Sequence, residues 1–99
     1  AAVKGPAMPY TPNRYAAQIV RRLRDEGWTV NIPDQPYRSV YQLRLSKGPY
    51  FGTFDVSASK GRALRMSITW QPNESNRKAE GTSHIIGLLN CLPDFGWAQ

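Results

Sequence analysis

The 99-residue chain has one cysteine, Cys91, one histidine, His84, and only seven acidic side chains against 13 basic ones. A single cysteine excludes an internal disulfide framework and any multi-cysteine zinc site. His84 and Cys91 are the only soft-ligand candidates. On one helix they would stand about 10.5 Å apart in rise, too far to share a metal ion or form a thiolate–imidazole pair. Cys91 is therefore expected to act as a small buried hydrophobe. The acids Asp25, Glu26, Asp34, Asp55, Glu74, Glu80 and Asp94 form no spaced pair that suggests acid–base catalysis or a hard-cation cage. No apolar run approaches the ~18–20 residues of a membrane-spanning helix. No secretory leader pattern is visible, so a cytoplasmic location is expected.

Three short motif matches carry no chemistry. Ser57-Ala58-Ser59-Lys60 spells S-x-x-K but lies in an expected hairpin without the partner motifs that chemistry needs. Asp94-Phe95-Gly96 repeats a kinase tripeptide in a chain far too short for a kinase, and Asn73-Glu74-Ser75 is a glycosylation sequon with meaning only after secretion. The expectation is a protein that is not an enzyme and has no metal or cofactor.

What is present is a core and an excess of arginine. With 40% hydrophobic and 20% charged residues, the composition predicts one folded domain. Residues 1–9 lack periodicity and read as a flexible arm, part of it an appended non-native stretch. Residues 10–99 read as a single α+β domain. A helix is predicted from Pro12 to Glu26, with Thr11 as N-cap, Pro12 at the first helical position and Gly27 just past the end. Its apolar face is Tyr15, Ala16, Ile19, Val20 and Leu23. Trp28, Val30 and Ile32 alternate with polar residues as a short strand would.

A three-stranded meander follows, over Ser39–Ser46, Tyr50–Ser57 and Arg62–Trp70. Tyr41, Leu43, Leu45, Phe54, Val56, Leu64, Met66, Ile68 and Trp70 point to one face; Gln42, Arg44, Thr53, Asp55, Arg65, Ser67 and Thr69 point to the other. Gly52 marks a bulge or a close backbone approach. Gln71–Gly81 reads as a polar loop. A second helix runs from Thr82 or Ser83 to Asn90 or Cys91, with Ile85, Leu88, Leu89 and Leu92 packing on the sheet. The predicted architecture is a two-layer α+β domain: an antiparallel meander of three to four strands, covered on one face by an N-terminal and a C-terminal helix.

The order helix, three strands, helix over Pro12 to Leu92 resembles the double-stranded-RNA-binding domain. Lys47-Gly48-Pro49 stands in the first hairpin, where that family carries Gly-Pro. Arg77-Lys78-Ala79 stands before the last helix, where it carries Lys-Lys-x-Ala. Tyr50 replaces the family's histidine after Gly-Pro, and Gly81 interrupts its alanine-rich stretch. The resemblance is one of fold and implies an α+β architecture.

Nine of the 13 basic residues are arginine, and the pI is near 9.9. That balance favours a polyanionic partner, since guanidinium groups fit phosphate bidentately and stack on flat rings. Phe51 falls on the polar-face parity of its strand, near Arg44 and Arg65, with Lys47 in the adjoining turn. Together they would form a stacking platform with phosphate clamps. Arg77 and Lys78 before a helix would make a second phosphate contact. The expected function is thus a small module that binds DNA or RNA through Arg44, Lys47, Phe51, Arg65, Arg77 and Lys78. The alternative is a protein-interaction adaptor, a homodimer among its forms, using an exposed strand edge and the Phe95/Trp97 tail.

Overall fold

A computed structural model describes residues 9–72 and 74–91. Helix α1 (Arg14–Asp25) is followed by strands β1 (Thr29–Asn31), β2 (Val40–Lys47), β3 (Tyr50–Ser57), β4 (Ala63–Trp70) and β5 (Ser75–Glu80), then by helix α2 (Thr82–Cys91). The strands form one antiparallel sheet in the order β1-β2-β3-β4-β5. The expectation of three to four strands is corrected to five. No helix among the described residues is long and apolar enough to cross a membrane.

The start of α1 differs from expectation. Asn13 is the N-cap, not Thr11, and its Oδ1 accepts the Ala16 N–H at 2.9 Å. The Asn13 N–H is itself used, donating to the Gly61 carbonyl at 2.8 Å. A side chain that caps while its backbone is anchored elsewhere fixes the entry of the helix, and Pro12 stays outside it. Arg22 and Glu26 pair at 3.0 Å across one turn. Ala16, Ile19, Val20 and Leu23 are buried, but Tyr15 is exposed, with the Arg14 guanidinium 5.2 Å from its ring centroid.

The meander strands bury one parity. Leu43, Phe54 and Met66 stand in register across β2, β3 and β4, with Tyr41, Leu45, Val56 and Ile68 beside them. They share one cluster with the α1 residues and with Ile85 and Leu89 of α2. A bulge between Asp55 and Val56 pairs Arg65 with Asp55 but Ala63 with Val56, leaving Leu64 as the extra residue. Ala63 therefore takes the buried place expected for Leu64, which is only half-buried. Gly52 sits opposite Ile68, and a β-carbon there would collide with the Ser67 carbonyl oxygen. A close backbone approach, with the bulge further along the strand, is what this glycine serves.

Tyr10 packs edge-on against Tyr41, with centroids 5.4 Å apart and planes at 75°. Its hydroxyl is buried without a partner. Burial pushes the Tyr10 phenol up, and nearby Arg24 opposes that shift.

The segment expected to be a polar loop contains β5. Ser75–Glu80 has no apolar alternation, and only Ala79 packs against the core. The strand exists because β4 offers it a free edge, along which Ser75 to Glu80 pair in register. Asn76 adds three bonds to β4 from its Nδ2: to Ser67 Oγ and Thr69 Oγ1 at 2.9 Å, and to the Ile68 carbonyl at 3.3 Å. In α2, Ile85 and Leu89 are buried, while Cys91 is exposed, contrary to expectation. Leu92, Phe95 and Trp97 lie outside the described residues.

Candidate functional site

The pairing registers order the polar parity of the sheet into transverse rows. One row is Asn31, Arg44, Thr53, Ser67 and Lys78. The next is Thr29, Ser46, Phe51, Thr69 and Asn76. On the other side of Arg44 lies Gln42, Asp55, Arg65 and Glu80. Arg44, Ser46, Phe51, Asn76 and Lys78 are exposed, and Phe51 keeps 48% of its surface in solvent. A concavity of about 440 Å³ lies between Arg44 and Phe51, lined also by Asn31, Gln42, Ser46 and Thr53.

Charge is distributed unevenly over these rows. Arg44 and Lys78 share a row with uncharged side chains, so both offer a net positive charge. Arg65 instead sits between Asp55 and Glu80 in register, and its Nε is 3.4 Å from Asp55 Oδ2. The Asp55 side chain is only 8% exposed against 58% for Arg65, and its Oδ1 has no hydrogen-bond partner. Arg65 is committed first to this buried carboxylate, which was expected to point freely outward.

Two expected contacts are separated from the face. β2 continues through Lys47, so alternation turns that side chain to the parity of Leu43 and Leu45. Its Cε lies 3.6 Å from where a β-carbon on Gly27 would stand, beside the end of α1. Arg77 and Lys78 lie in β5, directly before α2, in a strand where a loop was expected. As neighbours in β5 they project to opposite faces, Lys78 in register with Ser67 and Arg77 with Ile68. That placement also removes the Lys-Lys-x-Ala correspondence, since Arg77-Lys78-Ala79 is strand. Arg77 and Lys78 also both line a groove of about 790 Å³ between β5 and α2, with Ala79, Glu80, His84 and Leu88.

One feature gave no sequence signal. Tyr37 and Val40 exchange both backbone hydrogen bonds, at 2.8 and 3.1 Å, closing a two-residue turn at Arg38-Ser39. Both turn residues are left-handed, Arg38 at φ 52° and Ser39 at φ 67°. Such turns ordinarily carry Asn-Gly, so Arg-Ser conceals one. Paired residues across a hairpin share a face. Tyr37 therefore joins Val40 and Ser57 as a further row of the polar parity.

His84 Nδ1 lies 3.0 Å from the Glu80 carbonyl. Among the described residues no group of three or more His, Cys, Asp or Glu side chains could hold a metal ion. No protein-family model matches the chain, and no curated protein and no solved structure matches it.

Proposed function

We propose that the polar face of the sheet binds nucleic acid, with Arg44 and Lys78 neutralising phosphates and Phe51 stacking on a base. The reading takes the helices to cover one face in a two-layer arrangement and leave the other open. The observation that carries it is the half-exposed Phe51 ring beside a concavity shared with Arg44. Exposing an aromatic ring on a strand next to an unpaired guanidinium offers a stacking surface and a phosphate contact in one place. The net charge of +6 adds long-range attraction for a polyanion. Arg65 contributes through the half of its surface left in solvent, behind its bond to Asp55. In this reading the protein is a cytoplasmic binding module and performs no reaction.

Titration with single- and double-stranded DNA and RNA across a salt series tests the reading. Arg44→Ala should weaken binding to every sequence alike and reduce the salt slope by about one unit. Phe51→Ala should cost about 1–3 kcal/mol against single strands with little change in slope. Affinity no tighter than about 10⁻⁴ M at physiological salt for all four would reduce the charge to a solubility feature.

A second reading, a protein-interaction adaptor, draws on β5. It is the last strand of the sheet among the described residues, and it borders the groove with apolar Ala79 and Leu88. An edge strand beside an apolar groove can accept an extended peptide.

A further inference from the structure

Tyr37 and Arg38 take no part in the binding reading above, yet their placement asks for a cause. The turn that holds them has two left-handed residues with β-carbons, where Asn-Gly would be the relaxed choice. It sets Tyr37 on the same parity as Arg44 and Phe51, with 73% of its surface exposed, so core packing does not account for the ring. The Arg38 guanidinium stands 5.4 Å from the Tyr37 ring centroid. The result is an exposed ring with a cation beside it; Phe51 and Arg44 line one concavity without such a contact. Along β2 the Tyr37–Val40 row and the Ser46–Phe51 row are separated by about 20 Å.

We propose that Tyr37 with Arg38 is a second stacking site, and that the polar face takes single-stranded RNA laid along β2 from Phe51 to Tyr37. The inference rests on the nucleic-acid reading of the face. Two rings this far apart on one face can each accept a splayed base from a single strand, whereas a duplex keeps its bases stacked inside. Arg44 lies on the path between them and Arg38 at its end, placed for phosphates. Asn31, Gln42, Ser46 and Thr53 line that path with amides and hydroxyls. Groups that donate and accept suit the ribose 2′-hydroxyl, which does both.

Fluorescence anisotropy on the full chain, with oligouridines of about 2 and about 12 nucleotides, tests this. The longer RNA should bind more tightly. Tyr37→Ala should weaken it by about 5- to 150-fold and leave the shorter RNA, which Phe51 alone can hold, unchanged. Tyr37→Phe should retain binding, and Tyr37→Leu, which keeps bulk without a π face, should lose it as Tyr37→Ala does. Oligodeoxyuridine of the longer length should bind more weakly. If Phe51→Ala weakens binding but Tyr37→Ala or Tyr37→Leu does not, the second site is overturned and the Phe51 platform stands. If neither ring matters, both readings fall. Equal affinity for the deoxy strand overturns the assignment to RNA.

Discussion

The backbone N–H of Asn13 donates to the carbonyl of Gly61 at 2.8 Å, joining the start of α1 to the turn between β3 and β4. Gly61 is left-handed, at φ +70°, and a β-carbon on it would collide with the Thr11 carbonyl and stand 2.6 Å from the Asn13 nitrogen. Gly61→Ala therefore meets backbone on two sides and a conformation that L residues disfavour. Urea denaturation should show a loss above about 2 kcal/mol. A loss under half of that would mean the helix start can move away without consequence.

The bulge predicts unequal costs for two neighbouring apolar residues. Ile68 is buried in register with Gly52, whereas Leu64 is the unpaired bulge residue. Ile68→Ala should cost about 2–5 kcal/mol as a packed-core truncation. Leu64→Ala, at a partly exposed position, should cost clearly less in the same denaturation experiment. The reverse order would place the bulge elsewhere.

Relaxing the Arg38-Ser39 turn should stabilise the protein. Replacement by Asn-Gly gives the pair this turn type prefers, removing part of the roughly 1–2 kcal/mol that each left-handed residue with a β-carbon costs. The double variant Arg38→Asn, Ser39→Gly should gain about 1 kcal/mol by denaturation midpoint, because added glycine entropy offsets some of the relief. An unchanged or lower midpoint would show that the turn is not strained.

Arg65 and Arg44 should separate on stability. Arg65→Ala leaves the Asp55 carboxylate buried without its cation, at an expected cost of about 1–3 kcal/mol. Arg44→Ala removes an exposed side chain and should stay within about half a kcal/mol of wild type. Similar values for the two would mean that the Asp55 pair contributes nothing measurable.

Tyr10 should contribute an alkaline loss of stability. Burial raises its folded-state pKa above the unfolded value, so the unfolded chain releases the proton first as pH rises. Stability is complete below the ordinary tyrosine value of about 10 and falls as pH climbs from there. Tyr10→Phe removes both this titration and an unsatisfied buried hydroxyl. Compared with wild type, it should be no less stable at neutral pH and lose less stability above pH about 10.

The central strands were readable because alternation in Tyr41–Leu45 and Met66–Trp70 leaves only one way to bury an apolar face. The same parity placed Arg44 and Phe51 together. β5 was not readable, since one alanine among Ser75–Glu80 gives no period; the strand is imposed by the edge of β4 and the Asn76 side chain. Lys47 was misplaced by ending its strand one residue early, which is enough to reverse a face. Tyr37 was missed because a left-handed Arg-Ser turn is a property of backbone angles that side-chain identity does not announce.

Each strand of the meander pairs with the one next to it in the chain, with no crossover. The ladders can therefore grow hairpin by hairpin, each closing a short loop at small entropic expense. The link from Asn13 to Gly61 is different, because it closes a loop spanning three of the five strands. Non-local closure of this kind slows folding more than it affects final stability. The β2–β3–β4 hairpins should thus form early, with α1 docking onto the finished β3–β4 turn. Refolding of Asn13→Ala, which removes the α1 cap and leaves the β3–β4 turn intact, would then proceed at nearly the wild-type rate while unfolding accelerates.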